Sequence, residues 1–229
     1  MRRVVIPELL DTDAGTPAEI RGSLRDLRFF NARFGGVNTT THLIGHIARR
    51  TGTRSLSLLE VAAGSGYVAG RTRSRLRRHG IELQPVLLDR SPAHLNGSGR
   101  AVVADARALP FADSSFDLVG SNLFVHHLEP EEVIRFVREA LRVCRRAVLI
   151  NDLIRHPLHL FLVYAGLPLY RSRLTRHDAP ASVRRAYTVD EMHDLLARAG
   201  AARLEFSRHY LFRMGVIVWK EYGQKRNDL

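Results

Sequence analysis

The sequence predicts an α/β domain in which a mostly parallel sheet carries helices on both faces. Three observations predict it. Short apolar runs alternate with helix-period segments from residue 55 to 151, three candidate strands in succession are followed by an acid, and the last two extended runs lie close enough to pair as a hairpin. With 229 residues, 45% of them hydrophobic, the chain can bury one sizeable core, so a single domain spanning 1–229 is expected.

The elements follow from the punctuation. In "PAEIRGSLRDLRFFNARFGG" Pro17 opens a helix whose apolar residues Ile20, Leu24, Leu27 and Phe30 share a face, and Gly35-Gly36 stops it. A second helix over about 39–50 completes an N-terminal helical cap, 1–50. The core, 55–152, then reads as strand 55–61, helix 67–79, strands 83–88, 101–104 and 116–121, helix 130–143 and strand 146–151. Residues 153–188 form an insertion expected to cover the substrate. In the final section, 189–229, a helix over 189–199 ends at Gly200, and runs 202–207 and 210–219 are separated by Arg208 and His209, as in a two-residue hairpin.

Several function classes are excluded at this stage. Cys144 is the only cysteine, so no internal disulfide forms and a reducing, cytoplasmic setting is expected; its reading is a small buried residue. The start, "MRRVVIPELLDTD", turns acidic too soon for a signal peptide, and the longest apolar tract, Leu158 to Tyr170, falls short of a membrane span. The net charge of +12 comes almost wholly from arginine, since lysine occurs only at Lys220 and Lys225. These arginines are scattered, and the densest run, "RTRSRLRRHG" at 71–80, lacks the interleaved aromatics of a nucleic-acid face, so it reads as a solvated helix rather than an RNA-binding one.

The stretch "LSLLEVAAGSGYVAG", residues 56–70, carries the chemistry. An apolar strand runs into Glu60 and then a turn with Gly64 and Gly66, the arrangement that lets backbone approach a nucleotide-like ligand. It also satisfies the dinucleotide fingerprint, so a dehydrogenase and a methyltransferase are both open here. The strand-end acids Glu60, Asp89 and Asp105 favour a ligand with ribose and adenine but no phosphate. An acid ahead of the turn would repel a pyrophosphate, whereas Asp89 can accept from both ribose hydroxyls and Asp105 from an adenine amino group.

"LLEVAAGSG", "LLDRS", "VVADARALPFADSSFDLVGSN" and "FVHHLEPEE" together resemble class I S-adenosylmethionine-dependent methyltransferases, particularly the small-molecule group of ubiquinone/menaquinone-type (type 11-like) enzymes. The resemblance implies a Rossmann-like sheet of seven strands ending in an antiparallel hairpin, with S-adenosylmethionine as cofactor. By residue match Glu60, Ala62, Gly64 and Gly66 shape the methionine side, Asp89 with Arg90 holds the ribose, Asp105 and Ala106 meet the adenine, and Asn122 lies near the methionine moiety. Ala62 stands where the family usually has its first glycine, which implies a slightly altered loop. No metal is expected.

The acceptor side rests on two segments. "FVHHL" resembles the "LHDW" stretch of phenolic O-methyltransferases, which places a general base at His126. The other role open to that histidine is packing and loop orientation, as in C-methylating relatives. In the insertion, Leu158 to Tyr170 would line a greasy cavity and Arg173, Arg176, His177 and Asp178 form a polar cluster that would contact the acceptor's oxygens; Tyr164 there and His127 ahead of it are further expected acceptor contacts. With "NARFGG", this insertion resembles methyltransferases of bacterial aromatic polyketides and phenolic lipids. The implied reaction is methylation of a small hydrophobic acceptor, on oxygen in preference to carbon; RNA methylation is the alternative that the charge suggests. The arginine-flanked apolar tract also suggests contact with a membrane surface or lipid-like substrate.

Overall fold

The computed structural model describes residues 1–12, 14–95 and 100–220. The last residues of the hairpin section, 221–229 with Lys225, lie outside the described residues. Strands β1 (Ser55–Val61), β2 (Glu82–Asp89), β3 (Arg100–Val103), β4 (Phe116–Asn122), β5 (Cys144–Leu153), β6 (Arg203–His209) and β7 (Arg213–Trp219) form a seven-stranded sheet ordered β3-β2-β1-β4-β5-β7-β6. The first five run parallel to their neighbours, and β7 pairs antiparallel with both β5 and β6. The order reverses between β1 and β4, which opens a crevice at their carboxyl ends.

Helices cover both faces. On one side α2 (Gly36–Thr51) and α3 (Tyr67–Arg77) bury Leu43, Ile44, Ile47 and Leu76 against Leu58, Leu118 and Ile217. On the other, α4 (Pro130–Val143) and α7 (Val189–Arg198) bury Phe136, Val137, Met192 and Leu196 against Val119, Val148 and Val216. The arginine run on α3 presents Arg71, Arg73 and Arg77 to solvent while Thr72 and Leu76 face inward. Cys144 is free and buried, and burial raises its thiol to about 11.

Two boundaries differ from the sequence reading. Helix α1 (Pro17–Arg33) ends as expected, but α2 starts at Gly36, not near residue 39. Only Gly35 breaks the chain: its φ is 88°, and a Cβ there would sit 2.0 Å from the Tyr210 carbonyl oxygen. The hairpin turn is Tyr210–Phe212, not Arg208-His209, because β6 continues to His209, which pairs with Arg213. Phe212, at φ 51°, takes the left-handed position of a three-residue loop without the glycine that would have announced it.

The α1–α2 junction is fastened to the sheet by one buried cation. Arg213 on β7 donates Nε to the Phe34 carbonyl (2.7 Å), Nη2 to Asn31 Oδ1 (3.0 Å), and Nη1 to Asn122 Oδ1 (3.2 Å) and Asn151 Oδ1 (3.1 Å). Asn151 in turn donates to the Gly36 carbonyl and to Thr40 Oγ1. Desolvation lowers the guanidinium to about 10, with Asp152 opposing, so it remains charged at neutral pH. Removing the guanidinium from such a network leaves neutral buried acceptors unpaired, at roughly 1–3 kcal/mol. Arg213→Met is therefore expected to destabilise the chain by about that much in denaturant titration, far beyond the effect of Arg73→Met on exposed α3.

Candidate active site

Above the carboxyl ends of β1, β2 and β4 lies a cavity of about 640 Å³. Its walls include Glu60, Ala62, Gly64, Asp89, Arg90, Asp105, Ala106, Asn122, His126 and His127, so the structure brings these sequence-predicted residues to one space. Gly66 sits at the start of α3 with φ 67°, where a Cβ would strike Leu87 Cδ1 at 2.4 Å; side-chain-free backbone is required there.

The turn is built around Asp89. Its Oδ2 accepts from Gly64 N (2.8 Å) and its Oδ1 from Ser91 N (3.0 Å), which leaves lone pairs on both oxygens for further donors. Ala62 adopts φ 52°, a left-handed conformation that costs a residue with a Cβ about 1–2 kcal/mol. The missing glycine thus shows as backbone strain at Ala62. Arg90 donates to the Asp11 carbonyl (2.6 Å). The Asp105 carboxylate is forked by Arg107 through Nε and Nη2 (3.0 and 2.7 Å), so a contact from Asp105 to adenine has to share it with that guanidinium.

Glu60 is buried, and its Oε2 has no hydrogen-bond partner. Burial raises it to about 8, so it is largely neutral at pH 7. A neutral acid does not repel phosphate, which removes the electrostatic ground for setting the dinucleotide reading aside. A buried acid with one unpaired oxygen, its group otherwise met by the Ala69 amide, and a strained turn at one end of a cavity nevertheless fit a cationic ligand, which would favour the ionised form.

On the acceptor side, His126 and His127 form a short 3₁₀ turn after β4. His126 is fully buried; its Nδ1 meets Asp152 Oδ1 at 2.6 Å, and its Nε2 faces Glu8 Oε1 across 3.5 Å. Burial pulls its pKa down, but the two carboxylates outweigh that and raise it to about 10. The two carboxylates thus favour the protonated imidazole, whereas the sequence reading expects a neutral base at His126. His127 Nδ1 meets Asp11 Oδ2 at 2.9 Å.

Glu8 and Asp11 escaped the sequence reading. They arrive on the N-terminal segment, which Asp178 holds by accepting from Leu9 N (2.8 Å) and Leu10 N (3.1 Å), while Val4 N donates to the Arg184 carbonyl. Nothing local marks them, because their partners lie more than a hundred residues away.

The insertion folds as α5 (Pro157–Ala165), a 3₁₀ turn and α6 (Arg173–Arg185). Only part of its apolar tract lines the cavity, with Leu162, Val163 and Tyr170 inward and Leu158 and Phe161 outward. Four predicted acceptor contacts lie outside the cavity wall. Tyr164 sits under Arg184, Arg173 pairs with Glu19, Arg176 donates to the Tyr170 carbonyl, and His177 pairs with Asp178. Helical periodicity turns these side chains outward, and α1 supplies Leu27, Phe30 and Phe34 to the cavity instead.

Two measurements follow. Asp89→Ala is expected to weaken S-adenosylmethionine binding by about 1.5–3 kcal/mol in titration calorimetry, the scale of a hydrogen bond to a charged acceptor; unchanged affinity would refute the assignment. Glu60 is raised in the fold relative to 4.5 in the unfolded chain, so the fold retains a proton that the unfolded chain gives up. Its contribution is fully present below about pH 4.5 and is lost as pH rises to about 8. Over that window the Tm of the ligand-free wild type should fall relative to that of Glu60→Gln.

Comparison with known proteins agrees with this geometry. The profile of a methyltransferase domain matches residues 59–150. An uncharacterized methyltransferase from Mycobacterium marinum is 30% identical over 67% of this chain and 64% of its own length. A malonyl-[acyl-carrier protein] O-methyltransferase from Halorhodospira halophila is 38% identical over 38% of this chain and 30% of its own. The chain therefore spans less than two thirds of these relatives. Among solved structures, the plantazolicin methyltransferase BpumL in complex with SAH aligns over 94% of this chain and 95% of its own, with TM-score 0.69 at 15% identity, a likeness of fold. Residues 59–150 are thus similar in sequence to a methyltransferase domain, and the whole chain is similar in fold to a solved methyltransferase.

Proposed function

We propose that the chain transfers a methyl group from S-adenosylmethionine to an oxygen of a small hydrophobic acceptor, aromatic or polyketide-like. The observation that carries this reading is the cavity itself. One space joins the Gly64–Asp89 turn to a wall that includes Leu27 and Phe30 of α1, Leu162 of α5 and Tyr170 beyond it, and Glu8, His126 and His127 are among the ionisable groups set into that side. The sizes suit a drug-sized apolar acceptor with a few polar anchors. The outward Leu158 and Phe161 support delivery from a lipid surface or a lipid-like acceptor.

S-adenosylmethionine supplies an electrophilic methyl group when bound. Asp89 and the Gly64 turn hold its ribose side, and Asn122 faces the cavity near the reacting end. Asn122 is itself fixed by Asn31 and Arg213, so α1 and the cofactor end share one rigid support. As an acceptor hydroxyl attacks carbon it becomes strongly acidic, so a weak base suffices to take its proton. Glu8 fits that role. Burial alone would raise it, yet His126 and His127 hold it below the ordinary glutamate value, so it is ionised at neutral pH. Ser182 Oγ donates to its Oε1 at 2.8 Å, and His126 positions it.

The test is kinetic. With a phenolic acceptor, Glu8→Gln should lower turnover by roughly 10²–10⁴-fold while leaving S-adenosylmethionine affinity intact, and the product should carry its methyl on oxygen. Wild-type turnover should be flat from pH 6 to about 9; a climb of tenfold per pH unit toward 10 would instead return the base role to His126. A product methylated on carbon overturns the O-methylation reading.

A further inference from the structure

We infer that Glu8, His126 and His127 form a binding site for a divalent transition-metal ion whose open coordination positions face the cavity. Each of the three offers a ligand atom, and those atoms lie within 4.8 Å of one another. His126 Nε2 is 3.5 Å from Glu8 Oε1, and His127 Nε2 is 3.9 Å from Glu8 Oε2. Ligands about 2.1 Å from a common ion lie roughly 3.0–3.4 Å apart in octahedral or tetrahedral geometry, so His126 is almost in place against Glu8, while His127 would have to close by about 0.5–0.9 Å to complete the shell.

The orientation of both rings points the same way. His126 turns Nδ1 to Asp152 and His127 turns Nδ1 to Asp11, which leaves both Nε2 atoms directed at one carboxylate. A metal-ligating histidine characteristically gives its other nitrogen to a carboxylate, which fixes the tautomer and aims the lone pair. Here that arrangement occurs twice around a single glutamate. The burial fits as well: His126 Nε2 is buried in the cavity wall and makes no well-aligned hydrogen bond, the Glu8 carboxylate standing 3.5 Å away.

Charge is also consistent. Glu8, Asp11 and Asp152 bring three carboxylates to the two imidazoles, and Arg185, 3.6 Å from Asp11, is the guanidinium paired there. Arg90 also acts on Asp11 and Arg213 on Asp152, so part of the carboxylates' charge is already balanced and a dication would meet the remainder. Two imidazoles and one carboxylate suit Zn²⁺, Mn²⁺, Fe²⁺ or Co²⁺ better than the harder Mg²⁺. Protons on the imidazoles are the competing occupant, and they predict the opposite outcome in the experiment below.

The inference does not depend on the acceptor, since it concerns the chain without substrate. Full-length protein stripped with a chelator should take up a single Co²⁺ per chain, seen as visible d–d absorption and by elemental analysis, and Zn²⁺ but not Mg²⁺ should displace it. His127→Ala and Glu8→Gln should each weaken binding at least tenfold, and Asp11→Asn by about 10–100-fold. His127 is partly exposed and Gln matches Glu in shape, so folding is checked by melting each variant, and either variant alone decides the result. Absence of bound Co²⁺ and Zn²⁺, or binding undiminished in either folded variant, overturns the site. Loss of turnover in Glu8→Gln without metal binding leaves the methyl-transfer reading standing and removes only the ion.

Discussion

The Arg213 guanidinium is the interaction on which the cavity depends. A fully buried cation is costly, and here the cost is offset by donation to three asparagine side chains and the Phe34 carbonyl. Those acceptors come from α1, the α1–α2 junction, β4 and β5, so one residue on the last strand sets how the N-terminal helix lies over the strand ends. Apolar packing is non-directional and could not fix that angle alone. A hydrogen-bonded charge can, because its acceptors must lie in defined directions.

From that anchor the acceptor side is assembled electrostatically. Asp178 captures two successive backbone amides, and the N-terminal segment then delivers Glu8 and Asp11 to the histidine turn. His126 sits between two buried carboxylates, where each charge is stable only because the others are present. Proton acceptance and metal binding both draw on this same surplus of carboxylate, which is why Glu8 is central to each.

The cofactor side stores strain instead. Ala62 in a left-handed conformation and Glu60 held neutral without a partner on Oε2 are both unfavourable in isolation, and the sheet around them is rigid enough to maintain them. A bound cation near Glu60 would relieve one of the two. Strain and a buried acid with one unpaired oxygen at the same turn mark it as built for a ligand rather than for stability.

The sequence by itself determined the sheet, its order of strands and helices, and the strand-end acids. Those depend on period-2 and period-3.6 patterning and on residues a few positions apart, which are local in the chain. It also placed His126 and His127 at the cavity, since a residue following a strand of this sheet has little freedom of position. Tertiary structure alone decided the rest. Phe212 took a left-handed turn with no glycine to signal it, and Tyr164, Arg173, Arg176 and His177 turned away because the insertion's helical phase was set by packing on α1 and α4's neighbours rather than by composition. Glu8, Asp11, Asn31 and Arg213 acquire meaning only through partners up to about 180 residues distant. The charge of His126 follows the same logic: its ordinary pKa is a property of the residue, but two carboxylates brought in by separate segments decide which proton it keeps.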